Sequence, residues 1–231
     1  MILLSADLGE GSPREEEIWP LIDAANVACG GHVGDDDSMR EAARLARQHG
    51  VRLGAHPSYP DREHFGRRSL EISLDALRAS LVTQLEALRA FAPLQHVKPH
   101  GALYNDAHRN RALAAVIVAA MRDVDPSLAL VAPADSQMAA AALDAGTPVI
   151  REAFADRRYE PDGSLTPRGI AGATLTIDEA AAQASRLASE GIVLARDGAR
   201  VALAFDTLCI HADMPGAVER LTAVRRSLGR F

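Results

Sequence analysis

The sequence predicts an α/β fold in which seven parallel strands roll into a (β/α) TIM-like barrel. Short apolar runs alternate with helical patterns from one end of the chain to the other, as parallel strands with helices packed outside them require. The runs number seven, and His, Asp, Glu or Lys stands at the end of six of them. An open doubly wound sheet also fits the alternation, but it gathers its ligand at one switch point, whereas the loops of a closed barrel converge on one rim. A complete eight-unit barrel takes ~250 residues. At 231 residues, seven strands are the economical count. No linker or low-complexity stretch divides the chain, so residues 1–231 read as one barrel domain.

The first run, residues 2–4, leads into Asp7 and Glu10 on either side of a glycine turn. Two carboxylates there can bind a cation or supply a general base; the alternative is an ordinary turn with Glu10 solvated. The second run, residues 26–28, opens into Cys29-Gly30-Gly31-His32 and a helix from about Asp36. Backbone N–H groups at such a helix start can hold an anion, but Asp35, Asp36 and Asp37 crowd it as caps. There is no GxxxxGK[ST] pattern, so any nucleotide is held without a P-loop. His32 is the candidate ligand-binding residue here, and Cys29 reads as a small core residue. The third run, residues 51–54, ends at His56 and opens a proline- and charge-rich loop over 55–68. Loops of that length are usually functional, and Arg67 or Arg68 can clamp a carboxylate or phosphate.

Leu74, Leu77, Leu81, Leu85 and Leu88 then stripe one helix face. The fourth run lies in His96-Val97-Lys98-Pro99-His100-Gly101-Ala102-Leu103-Tyr104-Asn105. Alternation puts His96, Lys98 and His100 on one face of a short strand, which Pro99 and Gly101 terminate. Three basic groups on one face suit a polar cavity better than a core; the alternative is a solvated edge strand. A helical pattern is expected from about Asp106, with Leu113, Val116, Ile117, Ala120, Met121 and Val124 as its apolar stripe. Runs at 128–131 and 149–150 follow, the latter entering Arg151-Glu152 and a second long loop that carries Asp156, Arg157, Tyr159, Asp162 and Arg168. An alanine-rich helix over 178–189 closes at Gly191. The last run, 201–210, ends in His211-Ala212-Asp213, where Asp213 is either a site residue or the N-cap of the final helix through Val218, Leu221, Val224 and Leu228.

Asp7, His56 and His100 all fall at expected strand ends. One carboxylate and two imidazoles can bind a divalent transition metal, or they can be a hydrogen-bonded set without one. The net charge of −6 and the lack of a basic run argue against nucleic acid or an anionic membrane surface as partner. There is no apolar run of membrane-spanning length and no signal-peptide pattern at residues 1–5. Cys29 and Cys209 show neither metal spacing nor a disulfide framework, so the cytoplasm is the expected compartment.

Taken together, Asp7-Leu8-Gly9-Glu10-Gly11, Asn26-Val27-Ala28-Cys29-Gly30, Gly54-Ala55-His56-Pro57, Val97 to Asn105, Glu152 to Arg157, Asp162 to Arg168 and Cys209-Ile210-His211 resemble the LamB/YcsF family, in order and over almost the whole chain. The resemblance implies a distorted seven-stranded barrel similar to the glycoside hydrolase/deacetylase superfamily. It also implies ATP-dependent opening of 5-oxoproline to glutamate, with two partner subunits, B and C. On that footing Asp7, Glu10, His56, Lys98 and His100 are the expected catalytic residues. His32, Tyr104, Asn105, Glu152, Asp156, Arg157, Arg168, His211 and Asp213 are expected to bind substrate or nucleotide. Lys98 with Arg157 or Arg168 would stabilise phosphoryl charge; Asp7 or Glu10 would take a proton from water, and His100 would give one to the departing nitrogen. Two other readings stand beside this one. The first is a divalent-metal-dependent amidohydrolase or deacetylase using Asp7, His56 and His100, and the second is a non-catalytic substrate-binding subunit. The chain departs from the family pattern at Leu3, Ser5, Gly31 and Ala212.

Overall fold

Each expected run contributes a strand, and the seven close on themselves. The computed structural model describes residues 2–230, so Met1 and Phe231 of the expected domain lie outside the described residues. The barrel strands are β1 (Leu3–Leu8), β2 (Ala24–Ala28), β3 (Arg52–His56), β4 (His96–Val97), β5 (Ala129–Ala132), β6 (Val149–Phe154) and β9 (Thr207–Cys209). They pair in that order, all parallel, and β9 returns to β1. Helices α1 (Asp36–His49), α2 (Leu74–Arg89), α3 (Gly101–Arg109), α4 (Arg111–Val124), α5 (Gln137–Asp144), α6 (Ile177–Glu190) and α7 (Ala217–Ser227) occupy the connections. Two short strands, β7 (Ile192–Leu194) and β8 (Arg200–Ala202), form an antiparallel hairpin outside the barrel.

The apolar core lies between sheet and helices. Leu4, Ala6 and Leu8 on β1 alternate outward, against a layer that includes Leu77, Leu81, Leu85 and Leu88 of α2. Burial of each such leucine is worth about 2 kcal/mol relative to exposure. Leu74, the first of the expected stripe, stays exposed. The alternate residues turn inward, and there the barrel is polar: Ser5, Asp7, Asn26, His56, His96, Lys98, Glu152 and Thr207 are all buried.

Register explains how that interior is filled. Asp7 pairs with Asn26, Asn26 with Gly54, and Gly54 with His96, so the four form one inward row across β1 to β4. Gly54 is the vacant place in the row. A Cβ there would sit 2.1 Å from His96 Nε2, so the missing side chain is what lets the imidazole cross to Asn26.

Several expected elements shift. β1 runs on to Leu8, which puts Asp7 inside the strand. α3 begins at Gly101, five residues before the expected Asp106, because the strand hands over to the helix at His100 without an intervening turn. The 201–210 run is two strands. Asp206 breaks it, turning the chain and accepting bonds from the Arg151 amide and guanidinium, so only Thr207–Cys209 joins the barrel. α1 is capped by Asp35 in a reciprocal bond with Ser38, and α6 ends at Gly191 with φ 68°, both as expected. The N-cap of α7 is Gly216, not Asp213.

Candidate active site

The C-terminal ends of the strands open into a cavity of about 430 Å³ lined by Asp7, Glu10, His56, Lys98, His100, Tyr104, Asn105, Arg157, Arg168, His211 and Asp213. His32, Glu152 and Asp156 stand directly behind these residues and touch them. Thus the fourteen residues expected to act in catalysis or binding line or back one mouth, with Asn105 exposed at its edge on α3, whereas Arg68, Tyr159 and Asp162 do not line it.

At the floor, Lys98 Nζ donates to Asp7 Oδ1 at 2.9 Å and contacts Cys209 Sγ at 3.0 Å and Glu152 Oε1 at 3.0 Å. Burial opposes the ammonium charge, but Asp7, the Cys209 sulfur and Glu152 outweigh it and hold Lys98 protonated. Burial likewise opposes ionisation of Asp7, yet His56 and Lys98 keep its carboxyl well below the usual range. Asn26 Nδ2 donates to Asp7 Oδ1 at 2.8 Å, while its own Oδ1 meets His96 Nε2 at 2.9 Å. Burial and the Lys98 charge press His96 down to about 4, so it is a neutral donor that fixes the Asn26 amide. Tyr104 donates to Glu152 Oε2 at 3.0 Å and thereby orients the second carboxylate.

On one wall, three imidazoles surround one carboxylate oxygen. Glu10 Oε1 lies 3.2 Å from His32 Nε2, 3.3 Å from His100 Nδ1 and 3.7 Å from His56 Nε2. His56 Nδ1 donates to the Lys98 carbonyl at 2.7 Å, and His100 Nε2 donates to the Phe65 carbonyl at 3.0 Å. Those outer bonds fix both tautomers and turn His56 Nε2 and His100 Nδ1 toward each other, 3.0 Å apart. A proton on one ring or a metal ion among them lets two ring nitrogens and a carboxylate oxygen converge this way. Burial lowers His100, and it takes His32 to about 4, leaving both neutral. Burial opposes protonation of His56, but Asp7 and Glu10 raise it above its ordinary value, so it is the base of the set. Glu10, His56 and His100 each offer one ligand atom, all within 4.8 Å of one another. The expected set named Asp7 with His56 and His100; Asp7 is bonded to Lys98 and Asn26, with its Oδ2 3.4 Å from His56 Nε2, and Glu10 is the carboxylate that groups with the two imidazoles.

The wall is braced by the 57–68 loop. Phe65 adopts φ 54°, a strained conformation for a non-glycine residue, and aims its carbonyl at His100 while its ring meets His32 and His100 edge-on. Gly31 has no room for a side chain, because a Cβ would lie 2.2 Å from Gln84 Oε1. The aromatic ring against His32 is that of Phe65.

The opposite wall is built from the loops after β6 and β9. Asp156 is fully buried and accepts from both the amide and Nδ1 of His211. Burial opposes its charge, but His211 holds it below the usual carboxylate range. The His211 ring stacks on Phe154 at 5.4 Å, which leaves Nε2 as its free nitrogen beside the cavity. Asp213 accepts from Arg67 at 2.6 Å and Arg168 at 3.1 Å, in place of capping α7.

Asn26 and Cys209 complete the floor, although neither stands out in the sequence as a site residue. A lone amide or thiol in an otherwise apolar strand is the signal each carries.

Compared with known proteins, residues 2–230 match the LamB/YcsF family. The 5-oxoprolinase A subunit of Methylococcus capsulatus is 47% identical across 97% of this chain and 91% of its own length. The crystal structure of a lactam utilization protein from Thermus thermophilus superposes with a TM-score of 0.92 at 44% identity, covering 99% of this chain and 96% of that one. A family 4 carbohydrate esterase from Streptomyces lividans shares the fold alone, with a TM-score of 0.51 at 11% identity over 99% of this chain and 87% of that one.

Proposed function

The chain belongs to the LamB/YcsF family, and from that premise we propose that it is the A subunit of a 5-oxoprolinase. It opens 5-oxo-L-proline to L-glutamate, coupled to ATP hydrolysis, with partner subunits B and C. The observation that carries this is Lys98, a buried ammonium held by Asp7 and Glu152 at the bottom of a cavity sized for a small molecule.

A lactam is a resonance-stabilised amide, and its opening needs activation. The γ-phosphoryl group of ATP goes to the amide oxygen and ADP departs. Water adds to the activated carbon, the C–N bond breaks, and the ring nitrogen takes a proton. A second water hydrolyses the acyl phosphate to glutamate and phosphate. Lys98 stabilises negative charge on the oxygen as it forms. Asp7, ionised at its side, orients that ammonium. His211, oriented by Asp156, serves as general acid at nitrogen, and His56 as the base for water. No helix among the described residues is long and apolar enough to cross a membrane, and we assign the enzyme, one domain over 1–231, to the cytoplasm. The test is oxoproline-dependent ATP turnover with and without subunits B and C. Lys98→Ala is expected to lose at least about 1,000-fold, and full turnover in that variant would remove Lys98 from the chemistry.

A second reading, metal-dependent amide hydrolysis, is favoured by the convergence of Glu10, His56 and His100. The donor set fits a divalent transition metal: two imidazoles with fixed tautomers and one carboxylate oxygen. When bound, such an ion supplies Lewis-acid polarisation and lowers the pKa of a coordinated water. Metal analysis of the purified protein, with chelator-sensitive turnover that needs no ATP, would favour this reading over the first.

A further inference from the structure

The charges in the cavity are sorted. Toward the floor stand Asp7, Glu10 and the Lys98 ammonium that Asp7 holds; at the outer wall stand Arg67, Arg157 and Arg168 with Asp213, and all of them line one space. Among the outer three, Arg67 and Arg168 share a single carboxylate oxygen of Asp213. Asp156, the other acid there, is committed to His211. Arg157 is 6% exposed, and its guanidinium donates only to two backbone carbonyls, Thr166 at 2.7 Å and Ala173 at 3.3 Å. It forms no ion pair with a carboxylate among the described residues. Burial of a guanidinium without a counter-ion is costly. Its value is depressed by that burial and by the neighbouring charge of Arg168, which outweigh the charges of Asp156 and Asp213. A planar fork held at Nε and Nη2 by carbonyls presents its remaining donors in a fixed direction, the arrangement that recognises a carboxylate.

We infer that Arg157, seconded by Arg168, is the anion-binding subsite for the α-carboxylate of the lactam substrate, and that this contact selects 5-oxoproline over neutral lactams. The inference rests on the 5-oxoproline reading above and names the part of the substrate met by the outer wall. The floor, with Lys98 and its carboxylates, then receives the ring amide and the arginines of the outer wall the carboxylate, so one small molecule spans the cavity. A phosphate group offers the same anionic chemistry, and the test separates the two.

The experiment uses the enzyme assembled from this chain and subunits B and C. KM is measured for 5-oxo-L-proline and for ATP, and Ki for 2-pyrrolidinone, the same lactam without the carboxylate. In Arg157→Met the KM for 5-oxo-L-proline should rise about 100-fold, while the Ki of 2-pyrrolidinone and the KM for ATP stay within about threefold of wild type. Arg168→Gln alters an exposed side chain bonded to Asp213 alone among the described residues. It should raise the same KM about fivefold and leave the other two constants unchanged, and it decides the matter should Arg157→Met fail to assemble. Equal weakening of both lactams in either variant overturns the inference, as does an unchanged KM for 5-oxo-L-proline. An effect confined to ATP assigns the subsite to a phosphate and overturns it too. Absence of oxoproline turnover in the wild-type assembly is a different result, since it defeats the parent reading before any variant is compared.

Discussion

The two walls of the mouth are made from different parts of the chain and by different means. The wall from β1 to β4 sets Glu10, His32, His56 and His100 at strand ends or within a few residues of them; His56 and His100 are each tied through one ring nitrogen to a backbone carbonyl and His32 through Nε2 to Glu10, while His32 Nδ1 is buried without a partner among the described residues. The wall from β6 to β9 hangs Arg157, Arg168 and Asp213 on loops, with His211–Asp156 as its one rigid pair. A strand end fixes a side chain to within the tolerance that bond-making requires, whereas a loop offers reach and charge. On the function proposed above, the contrast becomes a division of labour in which the first wall, the floor and the rigid His211–Asp156 pair act on the reacting atoms, and the loop arginines of the second wall recognise the rest of the molecule.

The largest expected effect tests the first wall. Glu10→Gln keeps the shape but removes the charge that three imidazoles share, and turnover by the assembled enzyme should fall about 1,000-fold or more. Any metal found in the wild type by elemental analysis should be lost with it. Retention of both activity and metal would reduce this wall to scaffolding and dissolve the contrast.

The next effect tests the rigid pair on the second wall. Asp156→Asn retains a partner for the His211 amide but no longer selects the tautomer that leaves Nε2 available. A loss of about 100-fold in kcat with KM for 5-oxo-L-proline nearly unchanged is expected from steady-state kinetics. A rise in KM alone would make this pair part of substrate recognition and sharpen the contrast differently, with the whole second wall given to binding.

How far the sequence discloses each wall follows the same division. Strand–helix alternation announces the barrel, and a polar residue closing each run announces the mouth, because an ionisable side chain at a strand end has few other places to be. His96, Lys98 and His100 are legible as one inward face from alternation alone. What alternation does not disclose is pairing between strands distant in sequence. Asp7 is expected beside His56 and His100, yet Lys98, 91 residues away, bonds to it, and Glu10 on the far side of the turn is the carboxylate grouped with the two imidazoles. The same applies to Asp213. Its neighbours Met214, Pro215 and Gly216 look like a helix start, and only the fold brings Arg67, 146 residues away, to within 2.6 Å of it. The 201–210 run misleads because its apolar residues fit one strand, while Asp206 finds a partner in Arg151 only once β6 is beside it.

The smallest expected effect concerns the floor that joins the two walls, and it is read in stability. His96 is buried and held near 4, against 6.5 for the unperturbed imidazole. An unfolded chain therefore binds a proton at His96 between those values while the folded chain does not. The folded state is favoured above pH 6.5, and this contribution is withdrawn as pH falls toward 4. Between about pH 7.5 and about pH 5.5 the loss is about 1.3 kcal/mol, a shift of about 3 °C in Tm for a chain of this size. His32, also taken to about 4, adds a slope of the same sign. The informative quantity is therefore the difference from His96→Gln, which keeps a donor for Asn26 and does not titrate. Thermal unfolding of the two proteins across that range should show the wild type losing about 3 °C more than the variant. Parallel curves would mean that His96 already carries its proton in the folded protein. Asn26 would then face an imidazolium, and the neutral His96–Asn26–Asp7 row would no longer account for how Lys98 is held ready beneath both walls.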